Sequence, residues 1–211
     1  MLDFPFAIKV FMALFAIMNP IANVPIFLSL TQGVSDAGRR KVAITVSIGV
    51  TAGCILSAVA GGPILHVFGL RVNDFQLAGG LLVLLIALSM LHGSSSTQHA
   101  PTQDENAALA EADSMAIYPL TIPLLVGPGT IATLIVLGQS AVHDGQEVAM
   151  ALGMLVFLGV MSSALLLAPT LGHYLSPKVT AIAQRLMGMI LAAIAMQMIV
   201  KSLQAFFPGL T

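Results

Sequence analysis

The chain has 211 residues, of which 57% are hydrophobic and 8% are charged, and its formal net charge is -1. A soluble globular domain carries about 25% charged residues, so this composition excludes that class and predicts an integral membrane protein. The near-neutral charge, with a single basic cluster at Arg39-Arg40-Lys41, argues against a nucleic-acid partner. The expected partners are the lipid bilayer and a small-molecule substrate.

The first predicted element covers residues 4–30 and is interrupted at Asn19-Pro20. A proline in a helix interior removes a backbone hydrogen bond and clashes with the preceding turn, so Pro20 and Pro25 are both expected to interrupt this helix. Within lipid, freed backbone groups are tolerated only where they face protein, water or a ligand. The run lacks the basic start and the cleavage site of a signal peptide, so we expect it to be retained.

Five further segments approach the length of about 20 apolar residues that a membrane span needs, at about residues 42–67, 75–91, 115–137, 148–171 and 179–207. Ser35 is the expected N-cap of the second segment. Within that segment small residues recur at every fourth position: Gly49, Gly53, Ser57 and Gly61. This spacing predicts one small-residue face for close packing against another helix.

The fourth segment repeats the interruption of the first. It carries Pro119, Pro123 and the sequence Gly127-Pro128-Gly129, and Pro128 stands 108 residues after Pro20. Two broken membrane segments in corresponding halves of a chain are typical of a transporter's binding site.

The same offset of 108 residues relates the rest of the two halves. It pairs Gln76 with Gln184, Gly80 with Gly188, Ile86 with Ile194 and Ala87 with Ala195. We therefore predict an all-α membrane protein of six transmembrane helices, with three-helix repeats at residues 1–92 and 115–211 and a polar cytoplasmic loop at 93–114. Repeats with an odd number of spans lie upside down relative to each other, which is the inverted topology of many secondary transporters.

Basic residues in the loops predict the orientation. The inner loops would hold five of them, Arg39, Arg40, Lys41, Lys178 and Arg185, and the outer ends three, Lys9, Arg71 and Lys201. The side with more basic residues faces the cytoplasm, so both termini are predicted to be periplasmic.

The two breaks predict a binding site for a zwitterion. Each half-helix restarts with unpaired N–H groups and about half a positive charge, which suits a carboxylate. Freed carbonyls and polar side chains suit an ammonium group or a sodium ion. The predicted substrate-binding residues are Asn19, Pro20, Ile21, Asn23, Thr121, Gly127, Pro128, Gly129, Thr130 and Thr133. Because the spans are almost free of carboxylates, a neutral amino acid fits better than a cationic one.

Other interpretations of these side chains stay open. Asn23 and Thr130 are equally well interpreted as caps of their half-helices. Gln76 and Gln184 are candidates for helix contacts or gating.

Two stretches resemble the signature sequences of the MarC family of bacterial and archaeal inner-membrane proteins. They are residues 19–31 (NPIANVPIFLSLT) and residues 118–131 (YPLTIPLLVGPGTI). The similarity extends over essentially the whole chain, although Ala22 stands where the family commonly has glycine. The resemblance implies a bacterial inner membrane location and a transporter fold. It also implies neutral amino-acid substrates such as glycine and alanine.

The predicted function is a secondary transporter for glycine, alanine and serine that works by alternating access. The alternative is an aquaporin-like channel, because Asn19-Pro20-Ile21 is similar to the Asn-Pro-Ala half-helix of water channels; the second break lacks the matching asparagine. We expect no enzyme, since the spans hold no Ser/His/Asp set or paired carboxylates. No metal site or cofactor is expected. Coupling to protons or sodium ions and assembly into a homo-oligomer stay open.

Overall fold

The computed structural model describes residues 3–92, 121 and 125–207, and its regular structure is all helical. In chain order the helices are α1 (Phe4–Met18), α2 (Pro20–Leu30), α3 (Asp36–Val67), α4 (Val72–Leu91), α5 (Pro128–Asp144), α6 (Glu147–Leu166), α7 (Ala168–Gly172) and α8 (Pro177–Phe206). The predicted loop at 93–114 and the prolines at 119 and 123 lie outside the described residues.

Five stretches of the described chain are long and apolar enough to cross a membrane: Phe4–Leu30, Asp36–Val67, Val72–Leu91, Glu147–Leu166 and Pro177–Phe206. Large apolar side chains project outward from them, and Ile48, Val59 and Leu155 are 65%, 71% and 69% exposed. Lipid solvates such surfaces. The predicted all-helical membrane protein is therefore confirmed. The count of six spans stays a prediction, because the residues before α5 lie largely outside the described part.

The first helix is broken where the sequence predicts. Asn19 separates α1 from α2 and has left-handed backbone angles, φ 33° and ψ 79°. Asparagine tolerates this conformation better than most residues, and Pro20 then occupies the first position of α2, where its missing N–H is harmless. Pro25, in contrast, lies inside α2, so the expected second interruption is wrong. One lost hydrogen bond bends or weakens a helix that its neighbours hold in place, without ending it.

Other helix ends differ from the predicted ones for local reasons. The Ser35 hydroxyl accepts a hydrogen bond from the Gly38 N–H at 3.2 Å, which confirms the N-cap and starts α3 earlier than expected. Helix α5 continues to Asp144, past the expected end. The predicted fifth segment is divided into α6 and α7, because Pro169 cannot donate a backbone bond across the junction.

The predicted small-residue face of α3 lies against α5 and the chain that leads into it. A Cβ at Gly53 would lie 3.0 Å from a Val126 methyl, and a Cβ at Gly61 would lie still closer to the side chain of Ile135. The Ser57 hydroxyl donates to the Gly53 carbonyl at 2.7 Å, so it adds no unsatisfied group to this face. The packing prediction for this face is confirmed.

Helices α4 and α8 share the largest contact between helices. A Cβ at Gly80 would lie 3.2 Å from the Ala195 carbonyl oxygen, and one at Gly188 would lie 3.1 Å from the Ala87 carbonyl oxygen. Around this pair, α1 packs against α6, α3 packs against α5, and α5 also contacts α1 and α4. The absence of a side chain at both glycines lets the two backbones approach each other.

Candidate functional site

Asn19 closes both helices at the first break. Its backbone N–H donates to the Phe15 carbonyl at 3.0 Å, and its Oδ1 accepts from the Ala22 N–H at 3.2 Å. The residue is 3% exposed, and its Nδ2 is buried without a partner. Pro20, which is buried, and Ile21, which is half-buried, form the first turn of α2. The break therefore leaves one amide donor unused.

Asn23 lies one turn along α2 and reaches back to α1. Its Nδ2 donates to the Met18 carbonyl at 2.6 Å and approaches the Asn19 carbonyl at 3.3 Å. These contacts satisfy the last carbonyl of α1 and the carbonyl of Asn19, whereas Asn19 is the N-cap of α2. The interpretation of Asn23 as the cap of α2 is therefore wrong. Its Oδ1, however, is buried without a partner. The same side chain thus caps one helix and leaves an acceptor unused.

The second break is built differently. Gly127 is the N-cap of α5 in an extended conformation and Pro128 is its first residue, with no side chain capping the N–H groups. The Thr130 hydroxyl donates to the Leu125 carbonyl at 3.0 Å, so it binds the chain before the helix and caps no N–H group of α5. The interpretation of Thr130 as the cap of α5 is therefore wrong. The N–H groups of Gly129 and Thr130 have no carbonyl partner within the helix.

Packing places the two breaks side by side. A Cβ at Gly129 would lie 2.7 Å from Ile86 Cδ1 and 3.0 Å from Ile17 Cδ1. The first turn of α5 is therefore held between α4 and the last turn of α1, two residues before Asn19. The space that glycine leaves there is filled by these two isoleucines.

Thr133 stands one turn further along α5. It is 3% exposed, and its hydroxyl oxygen is buried without a partner. Within the described residues, buried side-chain atoms without a partner occur at Asn19 Nδ2, Asn23 Oδ1 and Thr133 Oγ1. Buried polar groups normally have partners, and leaving one unpaired costs roughly 1–3 kcal/mol. All three atoms belong to residues that are predicted from the sequence to bind the substrate.

The remaining predicted residues are dispersed. Thr121 is buried, lies against Gly49 of α3, and its carbonyl accepts from the Val126 N–H at 2.8 Å. Gln184 is half-buried on α8. Gln76 lines a cavity on the side of the molecule where the described chain begins and ends.

This four-helix cavity, of about 310 Å³, lies between α1, α4, α5 and α8. Its lining residues are Lys9, Met12, Ala13, Gln76, Thr133, Val136, Leu137, Ser140, Ile190, Ile194, Gln197, Met198 and Lys201. Of the predicted site residues it contains Gln76 and Thr133. Lys9 and Lys201 were expected only at the outer ends of the spans, and Ser140 and Gln197 were not among the predicted site residues. The signal that could have found the lysines is their position inside membrane segments, where charges usually mark a binding site or pathway.

Comparison with known proteins identifies relatives over the whole chain. The family model described as MarC family integral membrane protein matches residues 4–207. UPF0056 membrane protein YhcE of Escherichia coli is 34% identical, over 99% of this chain and 96% of that protein. UPF0056 membrane protein YvbG of Bacillus subtilis is also 34% identical, over 99% of both chains. A UPF0056 membrane protein of Methanocaldococcus jannaschii is 35% identical, over 96% of this chain and 98% of its own length. No solved structure matches this chain.

Proposed function

The chain belongs to the MarC family of integral membrane proteins, and we propose that it is a secondary transporter for small neutral amino acids such as glycine, alanine and serine. One observation carries the proposal: the first break holds an unpaired buried donor, Asn19 Nδ2, and an unpaired buried acceptor, Asn23 Oδ1. A zwitterion offers the complementary groups, a carboxylate to the donor and an ammonium to the acceptor. The Thr133 hydroxyl and the first turn of α5 supply further donors for the carboxylate.

The distribution of acids supports a neutral substrate. In the described chain the carboxylates lie at or near helix ends: Asp3, Asp36, Asp74, Asp144 and Glu147. None accompanies the unpaired atoms of Asn19 and Asn23. A second positive charge on a substrate would therefore lose its hydration without gaining a counter-ion. Glycine, alanine and serine avoid this loss, whereas lysine and arginine do not.

Reciprocal packing supports two inverted three-helix repeats and hence alternating access. Exchanging the halves replaces α2 with α5, α3 with α6 and α7, and α4 with α8, while most of the counterpart of α1 lies outside the described residues. The contact of α5 with α3 then becomes that of α2 with α6, and both exist. Gly80 against Ala195 likewise becomes Gly188 against Ala87. We extend the proposal to a bacterial inner membrane location with periplasmic termini, and leave proton or sodium coupling to the transport assay.

Transport by purified protein in liposomes tests the proposal. We expect saturable counterflow of labelled alanine that glycine and serine inhibit and lysine does not. Asn23→Ala should reduce the affinity for alanine about tenfold, the value of one good hydrogen bond. Asn73→Ala, on the first turn of α4, is the matched control and should transport normally.

Two results would contradict this function. If lysine inhibits alanine counterflow as strongly as glycine and serine do, the site accepts a second positive charge, contrary to the proposal. Rapid osmotic water flow without saturable alanine exchange would favour the aquaporin-like channel.

A further inference from the structure

The four-helix cavity contains two positive charges and no negative one. Lys9 and Lys201 both line it, and its lining includes no acidic residue. Across the described ranges, ion pairs between side chains join Arg39 to Asp36 and Arg71 to Asp74, and neither cavity lysine takes part in one. Cations in membrane helices usually pair with an anion or mark the path of one. An anionic ligand would therefore neutralise this cavity.

Neutral hydrogen-bond donors line the same space. Thr133 and Ser140 stand two turns apart on one face of α5, while Gln76 and Gln197 contribute amides from α4 and α8. Thr133 is only 3% exposed, and its hydroxyl has no protein partner. Hydroxyl and amide donors complete the coordination of an oxyanion that lysines attract. The unpaired hydroxyl is an observation independent of the lysines and points to the same class of ligand.

Apolar side chains line the cavity as well. Ile190 and Ile194 contribute them from α8, and Val136 and Leu137 contribute them from α5, between Thr133 and Ser140. At 1.5 Å per residue, the lining from Ile190 to Lys201 spans about 16 Å along α8, so this helix has an apolar end at Ile190 and a charged end at Lys201. An inorganic anion would use only the charged end. An organic anion with a short hydrocarbon chain would use both.

We propose that the four-helix cavity is a binding site for a small organic carboxylate. The carboxylate lies between Lys9 and Lys201, and its hydrocarbon part extends toward Ile190 and Ile194. The carboxylate belongs either to an amino acid or to a free acid without an amino group. This site shares Thr133 with the proposed transport site but not Asn19 or Asn23, which do not line the cavity, and it goes beyond the proposed function.

Calorimetric titration of the full-length protein in detergent, in a buffer without other carboxylates, tests this site. The probes are propionate, butyrate, alanine, alaninamide and sulfate. We expect propionate to bind, butyrate to bind about fourfold more tightly because of one added methylene, and sulfate to bind at least about tenfold more weakly. Alaninamide, which lacks the carboxylate, should not bind in the cavity.

Substitutions locate the site. Lys9→Gln and Lys201→Gln should each weaken propionate binding about tenfold, because each removes a charge-assisted hydrogen bond. Lys178→Gln, on the exposed first turn of α8, removes the same charge far from the cavity and should leave propionate binding unchanged. Thermal unfolding of each ligand-free variant, which should match that of the parent, separates lost binding from lost folding.

The outcomes separate this site from the transport proposal. Propionate binding that survives both cavity substitutions, or sulfate binding as tight as propionate, would overturn the carboxylate site. If replacing Lys9 or Lys201 also lowers the affinity for alanine, the carboxylate is that of an amino acid. If it lowers only the affinity for propionate, the natural ligand is a free acid. Propionate binding that depends on Lys9 and Lys201, without alanine transport, would support the cavity site and reject the transporter. Alanine transport without such propionate binding would reject the cavity site alone.

Discussion

The two helix breaks stand at equivalent positions in the sequence but are closed by different chemistry. The first uses asparagine side chains, and Asn19 and Asn23 each keep one buried amide atom unpaired. The second uses Gly127 and Pro128 on the backbone, and its Thr130 hydroxyl is bonded to Leu125. A break formed by the backbone alone leaves only helix N–H groups to bind a ligand. A break closed by asparagine side chains offers both a donor and an acceptor. In the proposed transporter, the first break would therefore recognise most of the substrate's two charges.

Substitution of Asn19 should have the largest effect, and two variants separate its roles. Asn19→Ala should destabilise the protein by roughly 2 kcal/mol, because alanine is strained in the left-handed conformation and the cap is lost. Asn19→Gly should change stability by only a few tenths of a kcal/mol, since glycine accepts this backbone and is a fair N-cap. Both variants should lose most alanine counterflow, because both lack Nδ2.

Thermal unfolding and counterflow of the two Asn19 variants, measured on the same preparations, check this separation. A glycine variant that is stable and transports at the parental rate would mean that the first break needs only the turn. The contrast between the two breaks would then have no functional meaning.

Two glycines at the crossing of α4 and α8 test whether the breaks are related by an inverted repeat. Gly80→Ala and Gly188→Ala should each destabilise the protein by about 1–3 kcal/mol, because each added methyl would crowd a carbonyl of the facing helix. Gly159→Ala on α6 is the control, since nothing lies within 4 Å of its added methyl, and it should be neutral or slightly stabilising. Denaturation in detergent measures the three changes.

Equal losses at Gly80 and Gly188 would agree with two equivalent crossings of α4 and α8. A large loss at one glycine and none at the other would mean that the two halves are not packed equivalently. The equivalence of the two breaks would then rest on sequence spacing alone.

Local features of the structure were predictable from the sequence, as was the small-residue face of α3, but most features that depend on packing between distant segments were not. The break at Asn19-Pro20 and the cap at Ser35 follow from the conformational preferences of single residues. The continuation of α2 through Pro25 does not, because neighbouring helices decide whether a lost hydrogen bond ends a helix. Lys9 and Lys201 lie near opposite ends of the chain, so only the packing of α1 near α8 reveals that they share a cavity.

Two threonines on consecutive turns of α5 provide the finest comparison, with the smallest expected effects. Replacement by valine keeps the shape and removes only the hydroxyl. Thr130→Val should destabilise the protein by about 1 kcal/mol, because the Leu125 carbonyl loses its partner. Thr133→Val should leave stability unchanged or slightly raised, because its hydroxyl is already unpaired.

Ligand binding should respond in the opposite order. The Thr133 hydroxyl is free to bond a carboxylate, so Thr133→Val should weaken alanine or propionate binding by about threefold to tenfold, while Thr130→Val should change it little. Thr51→Val, whose hydroxyl bonds the Ser47 carbonyl of its own helix at 2.7 Å, controls for loss of a hydroxyl as such. Denaturation midpoints and calorimetric affinities of the three variants decide the assignment. A Thr133 variant that is destabilised and binds normally would mean that its hydroxyl has a protein partner, which would remove the second break from the site.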